Sequence, residues 1–488
     1  MARRTPAHGT DRGLAGARTF GRALLRTHWL FTAIATVSIA VFIFLIPAGW
    51  GLDEQGHVNR AYQLSEGVLM PSAKPDGPGF GGQIPTKLQD FQMLGWAWSN
   101  EADKSLPYFQ RQDFRDRALY DRLAAETIRP GDPTSYAEYA NTGISSPVAY
   151  LPAAVGFAVA RAMGVNVEGM FVASRVVNGA MYIGLGFLAL WLLRRTYLRW
   201  FAFCVALIPT AIFQASLVTS DTYTNAISLL FFAAIARLAL DRDKASKGLL
   251  ALAFVSGIGL CMAKPTYAIL CLTALFLPTA VFGTRRRALL SKAVFAACVG
   301  VLTIVWLRVT ADIADVLYLI SPWPSEVDPG GQVAYLLDRP GRVVTVLLQT
   351  NAAFGPAWVA ELPGQFGYNN VRLAQPFSLA VYAGLGITAL ASPKLPRAFA
   401  VGALLTGLGT CLAVILSLYV TFNPVGGPTA AGVHPRYFIP VLPYLFIGAA
   451  SLYPGHLHIG PRAIAWTAGL VSATAIASGV ALYAATLY

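Results

Sequence analysis

PVAYLPAAVGFAVARAMG, residues 147–164, is the stretch on which the fold turns. As a spanning helix it reverses the sidedness of everything after it; as a helix lying on the membrane surface it does not. It has 18 residues, prolines at 147 and 152 and an internal Arg161, whereas a spanning helix needs roughly 20 apolar residues. If it spans, the basic loops Arg194–Arg199 and Arg285–Lys292 fall opposite the basic N-terminus, against the bias of Lys and Arg toward the cytoplasmic side. If it lies in the interface, every short basic loop shares the N-terminal side. The segment therefore reads as an interfacial helix.

The rest of the chain supplies the membrane. Of 488 residues 55% are hydrophobic and only 12% charged, with a mean hydropathy of +0.54; a soluble domain carries roughly 25% charged residues. A soluble enzyme and a disordered chain are excluded. With 147–164 in the interface, eleven spans are expected near residues 30–49, 170–193, 200–218, 222–240, 248–263, 265–283, 293–309, 376–391, 398–420, 437–453 and 463–487. The fold class is all-α and polytopic, with the N-terminus inside and the C-terminus outside. The first run reads as an uncleaved membrane helix, because its basic leader is too long for a usual signal peptide.

Net charge of +13 marks sidedness and not a nucleic-acid partner, because the charges are segregated. Residues 1–29 hold six Arg and one Asp, whereas residues 51–146 hold thirteen acids against nine bases. The expected organisation is a cytoplasmic basic segment, 1–29, and one membrane domain, 30–488, containing the extracytoplasmic loop 51–146. Residues 339–354 stay open as a surface or re-entrant helix. The five Cys (204, 261, 271, 298 and 411) fall in apolar runs and behave as small hydrophobes. No internal repeat, P-loop, zinc spacing, GxSxG elbow or N-glycosylation sequon occurs.

On this topology the loop 51–146, the turn 219–222, Lys264, the loop 310–372 and the loop 421–436 share the outer face. Candidate chemistry lies there. In GLDEQGHVNRAYQLSEG, 51–67, a helix starting at Asp53 places Asp53, His57, Arg60 and Leu64 within about 60° of one another and turns Glu54 away. A carboxylate, an imidazole and a guanidinium on one face can take a proton from a hydroxyl and hold an anion; alternatively Asp53 and Glu54 only cap a helix. Asp221 in SLVTSDTYTNA is either a solvated turn residue or part of a polar site. Lys264, before a helix-breaking Pro265, either snorkels or lines a site. Arg436, with Tyr437 beside it, stands at the outward start of a span, where helix amides and a guanidinium favour an anion; an interfacial anchor is the other reading. Glu361 reads as a solvated loop acid.

DEQGHVNRAYQLSEG (53–67), NTGISSPVAYLPAAVG (141–156), the Lys264–Pro265 dipeptide and HPRYFIPVLP (434–443) together resemble the bacterial membrane-protein family of domain of unknown function 2142, itself similar to the GT-C glycosyltransferases. The likeness runs from about residue 30 to 455. It implies sugar transfer from a polyprenyl-phosphate donor to a glycan or lipid acceptor of the cell envelope, at the extracytoplasmic face of the plasma membrane. The resemblance maps the catalytic acid onto Asp53, with Glu54 beside it, a second acid onto Asp221, and the carrier-phosphate contacts onto Arg436 and Lys264. His57, Arg60 and Tyr437 complete the expected substrate-binding set. No cofactor is required by this scheme, although Asp53 and Asp221 could hold a divalent cation between them. GT-C enzymes often carry a soluble C-terminal domain; here acceptor recognition is expected from the outer loops or a partner. The rival classes are a lipid-linked sugar transporter or flippase, in which charges line a path, and a non-catalytic envelope-assembly component. Inverted repeats would favour transport.

Overall fold

The first long helix, α1 (Thr27–Leu45), holds no acid or basic Lys/Arg side chain over 19 residues. At 1.5 Å per residue it measures about 28 Å, close to the hydrocarbon thickness. Pro47 keeps Ile46 extended (φ −84°, ψ 118°) and ends it. The chain turns through Gly49 (φ +74°), where a Cβ would lie 2.3 Å from the Gln92 carbonyl oxygen, and enters α2 (Glu54–Ser65). The computed structural model describes residues 26–99, 117–241 and 244–487; the expected basic segment 1–29 lies largely outside them.

The loop after α1 is folded. Strands β1 (Ser72–Ala73), β2 (Phe80–Pro85) and β3 (Thr134–Glu138) form an antiparallel sheet in that order, with Gly82 opposite Ala137. Helices α3 (Thr86–Ser99) and α4 (Arg117–Ala125) lie between β2 and β3 in sequence. Val58, Ile84, Leu88, Phe91, Phe157 and Phe171 give this region its own apolar core, so a hydrophilic segment in composition still buries enough surface to order.

A 3-10 turn, Pro147–Tyr150, leads into α5 (Leu151–Ala162), followed by α6 (Val167–Leu192). Contacts along α6 place α5 relative to α1. Arg175 donates to the carbonyls of Ile46 and Pro47 at the end of α1, and beyond it Gly179 meets Ile39 and Gly186 meets Phe31. Gly156 of α5 packs on Ala173 and Ser174, on the other side of that level. So α5 does not run alongside α1. Leu151, Val155, Val159 and Met163 form an exposed apolar stripe, and Arg161 pairs with Glu66 on another side. Residues 147–164 thus form a short amphipathic helix, too short by itself for the long-span class.

Helices α7 (Leu198–Ala206) and α8 (Pro209–Ala215) are a pair bent by 58° where Pro209 interrupts the ladder. Then follow α9 (Ser220–Leu240), buried over 83% of its most apolar window, α10 (Lys247–Ala263), a broken run of 3-10 and helical turns from Pro265 to Phe282, and α11 (Arg285–Val309). After α12 (Pro329–Asp338) and α13 (Gly341–Glu361) comes a hairpin, β4 (Gln365–Phe366) and β5 (Val371–Arg372). The chain ends with α14 (Gln375–Leu390), α15 (Arg397–Phe422), a 3-10 segment Pro435–Val441 continuing into α16 (Leu442–Leu452), and α17 (Pro461–Leu487).

Seven of these helices are long and apolar enough to cross a membrane, or eight if α7 and α8 form one span. The chain is an all-α membrane protein with little sheet. Six expected spans coincide with long helices: α1, α6, α9, α11, α15 and α17. The spans expected at 248–263 and 376–391 fall on helices of 17 and 16 residues, and those at 265–283 and 437–453 on proline-broken segments with Pro265, Pro278, Pro440 and Pro443. The seventh long helix, α13, covers the segment left open at 339–354. Arg342 near its start reaches the Gly426 carbonyl at 3.5 Å, and Asn369 just past its end lies 3.2 Å from His434. Both flanks contact the segment between α15 and the 3-10 turn at Pro435, and α13 is itself long and apolar enough to cross.

Two faces result. One gathers Arg26 and Arg194–Arg199, the contact of Ala245 with Val281, and the contact of Lys394 with Tyr453. The other gathers Asp53, Arg436, Ile144 with Trp306, and Ser321 with Phe422. The loops expected to share a face do share it.

Candidate functional site

Asp53 is not the first residue of a helix but the residue before one, in a left-handed conformation (φ 58°, ψ 13°) and without a side-chain capping bond. That conformation costs a non-glycine residue roughly 1–2 kcal/mol. Its neighbour secures the turn: Glu54 is 1% exposed and forms a two-point ion pair with Arg175, itself 2% exposed, through Nε–Oε1 at 2.9 Å and Nη2–Oε2 at 2.6 Å. The same carboxylate accepts from the backbone N–H of Gly51 and of Val218. Glu54 and Arg175 thus fasten the end of α1, the start of α2, α6 and the segment before α9.

Asp53 faces charges brought from three distant segments. Asp221 lies in the first turn of α9, capped by Thr219, whose hydroxyl accepts from the Asp221 N–H at 3.3 Å. Pro265 stops α10, leaving Lys264 extended (φ −152°, ψ 132°), and its ammonium lies 2.5 Å from Asp221 Oδ1. Arg436 stands in the 3-10 segment, with Nε 2.9 Å from Asp221 Oδ2, a charge contact outside hydrogen-bond geometry, and Nη2 3.6 Å from Asp53 Oδ2. The guanidinium therefore lies between the two carboxylates. Tyr437 presents its ring 5.0 Å from the Lys264 ammonium and 5.2 Å from the Arg436 guanidinium carbon, and its carbonyl is fixed by the Tyr267 hydroxyl at 2.8 Å.

Exposure ranks the roles. Asp53 keeps 34% of its side-chain surface open and Lys264 23%, against 7% for Asp221 and 4% for Arg436. Two acids and two bases balance, so the buried members are compensated, and Asp53 is the group a ligand meets. Loss of water, opposed by Arg436 and Lys264 and aided by Asp221, raises the Asp53 carboxyl above its ordinary value. His57 is buried; its Nδ1 lies 2.7 Å from the Tyr150 hydroxyl and its Nε2 3.4 Å from Thr219 Oγ1. Burial pushes it down to about 3, and His434 is likewise pushed down to about 3 by burial and by Arg436. Both are neutral at pH 7. A carboxylate of raised basicity beside two fixed cations can accept a proton from a hydroxyl and hold a phosphate oxygen.

Of the residues singled out in the sequence, Asp53, Asp221, Lys264, Arg436 and Tyr437 converge. His57 stands one hydroxyl away, behind Thr219. Two expectations are corrected. Arg60 takes no part in the ion pairs that join Asp53, Asp221, Lys264 and Arg436: it is fully buried and donates to the Leu69 carbonyl at 2.6 Å. Glu54 does turn away, but into the clamp with Arg175, where both carboxylate oxygens are engaged, so it is not available to a substrate. Glu361 pairs with Arg372 at 2.9 Å and accepts from Gln365. Arg175, Tyr150, Thr219 and His434 were not anticipated; Arg175, a lone charge in an apolar run, carried a signal. Among the described residues no three His, Cys, Asp or Glu side chains are grouped to hold a metal ion.

The family described as "Predicted membrane protein (DUF2142)" matches residues 37–445, and the chain belongs to it. No curated protein matches the chain.

Proposed function

We propose that this DUF2142 protein is a GT-C-like glycosyltransferase of the bacterial plasma membrane, moving a sugar from a polyprenyl-phosphate donor to an envelope glycan or lipid acceptor. The observation that carries the reading is the exposed Asp53 carboxyl facing the Asp221–Lys264–Arg436 cluster beneath a folded loop. The N-terminus lies in the cytoplasm, because the basic loops occupy the face opposite Asp53. With the short and broken segments α7–α8, α10, 265–282, α14 and α16 crossing and α13 re-entrant, the chain makes eleven crossings and the site is extracytoplasmic.

In the reaction, an acceptor hydroxyl oxygen bonds the anomeric carbon while its proton passes to Asp53. The bond from that carbon to the phosphate oxygen breaks, and its electron pair leaves with the polyprenyl phosphate. Lys264 and Arg436 hold the departing anion, and Asp221 keeps both cations in place. General-base help is worth about 10²- to 10⁴-fold, and charge stabilisation in a dry site is comparable or larger. The cations beside Asp221 supply the positive charge, so no divalent ion or other cofactor is required.

Envelope glycans compared by composition, with the gene deleted and with wild type or Asp53→Asn restored, test the assignment. Loss of one sugar, recovered only with wild type, is expected. Recovery with Asp53→Asn overturns it.

A further inference from the structure

At the end of the molecule remote from Asp53, the start of α1 and the turn between α6 and α7 enclose a cavity of about 370 Å³. Its walls carry Arg26, Arg194, Arg195 and Arg199, with Thr27 and His28. Among the described residues no Asp or Glu lines it, and none of the four arginines has an ion-pair partner. Such a collection of like charges is unfavourable unless an anion joins it. Polar atoms are also left over: Thr27 Oγ1, His28 Nδ1 and Arg199 Nε are buried and, among the described residues, without a hydrogen-bond partner, and Thr27 and His28 are almost wholly shielded.

Two of the four arginines, Arg194 and Arg199, are held in place. Arg194 stacks on Trp191, 3.9 Å from the ring centroid, and donates to the Trp191 carbonyl at 2.7 Å, while Arg199 donates to the Arg194 carbonyl. Exposed Trp191 lines the cavity and exposed Trp29 follows His28 in the chain; indole rings favour the headgroup level of a bilayer.

We propose that this cavity is a binding site for a phosphate group, supplied by the headgroup of an anionic phospholipid in the leaflet opposite the Asp53 cluster. A guanidinium fork matches phosphate oxygens, and basic pockets between membrane helices suit anionic headgroups. The site is independent of sugar transfer.

The test uses full-length, delipidated protein in detergent, titrated with short-chain phosphatidylglycerol, short-chain phosphatidylcholine or inorganic pyrophosphate, with bound species counted by native mass spectrometry. Phosphatidylglycerol should saturate one site and bind at least about tenfold more tightly than phosphatidylcholine, whose phosphate is the same but whose choline cation is repelled by the four arginines. Arg194→Gln with Arg195→Gln should weaken it by a further factor of about ten or more. Competition by pyrophosphate as strong as by the lipid would keep the phosphate chemistry and assign it to a soluble anion. Equal binding of the two lipids by wild type, which needs no variant to fold, overturns the proposal. So does undiminished phosphatidylglycerol binding in the folded double variant.

Discussion

Replacing Arg175 by Met is the perturbation whose size the structure specifies most closely. The change removes two charge-assisted bonds to Glu54, the donor to the Ile46 carbonyl, and one of two donors to the Pro47 carbonyl, which keeps the Trp50 N–H. It leaves a carboxylate that is 1% exposed with only two backbone N–H partners, Gly51 and Val218. Breaking a buried pair by deleting one partner costs about 3–5 kcal/mol, and a buried carbonyl left without a donor adds about 1–3 kcal/mol. Arg175→Met should therefore lose about 4 kcal/mol or more. Glu54→Gln should lose less, since its amide oxygen can still accept and Arg175 keeps its carbonyls. The double variant should be more stable than the sum of the single losses implies, by more than about 1 kcal/mol of coupling. Unfolding free energies from reversible SDS titration, followed by tryptophan fluorescence, give all four corners of the cycle. Arg175→Met within about 1 kcal/mol of wild type, or additive losses, would refute the clamp.

Asp53→Asn should insert and fold as wild type yet lower turnover about 10²- to 10⁴-fold, measured as sugar transfer by purified protein. Because the Asp53 carboxyl is raised, wild-type transfer should also climb with pH as this group loses its proton, with the acid limb above the ordinary carboxylate range. Arg436→Ala should weaken donor binding and slow transfer together, by about 10²- to 10³-fold in rate, and Arg436→Lys should restore little because a point charge lacks the planar fork; donor-concentration kinetics separate the two effects. His57 is neutral in the fold down to about pH 3 but takes a proton near 6.5 when unfolded, so its contribution is intact above pH 6.5 and lost as pH falls toward 3. Unfolding free energy at pH 7.5 and pH 5 should show a shallower fall for His57→Asn, with His434 retaining part of the slope. Val425→Cys should react with an impermeant thiol reagent from outside intact cells and Lys247→Cys should not; both positions are exposed, and the reverse pattern inverts the topology.

The membrane class and the short helix at 147–164 were legible because they depend on composition and local length, both one-dimensional quantities. Proline-broken segments were legible only as apolar runs: Pro265 and Pro278 divide 265–283 into turns that hydropathy cannot distinguish from a helix. The site was legible as four charges, Asp53, Asp221, Lys264 and Arg436, each at an end of an apolar run. Their ion pairs join residues 43 apart in one case, Asp221 with Lys264, and far more in the others, so the pairing lies beyond any local pattern. Arg60 was expected at the site and instead donates to the Leu69 carbonyl, a contact that a helical projection does not show. Glu54 reads in sequence as a partner of Asp53 because adjacency hides its real partner, Arg175, which is 121 residues away.

The central claim is that Asp53 and the cations beside it transfer a sugar from a lipid phosphate. Purified protein reconstituted with a panel of labelled polyprenyl-phosphate sugars and an envelope-glycan extract tests it directly, by following the bond between sugar and phosphate. The account predicts that one donor is consumed by wild type, with label moving to the acceptor and polyprenyl phosphate released in equal amount, and that Asp53→Asn leaves that donor intact. Label crossing the bilayer with the bond unbroken, or equal donor cleavage by Asp53→Asn, would contradict it.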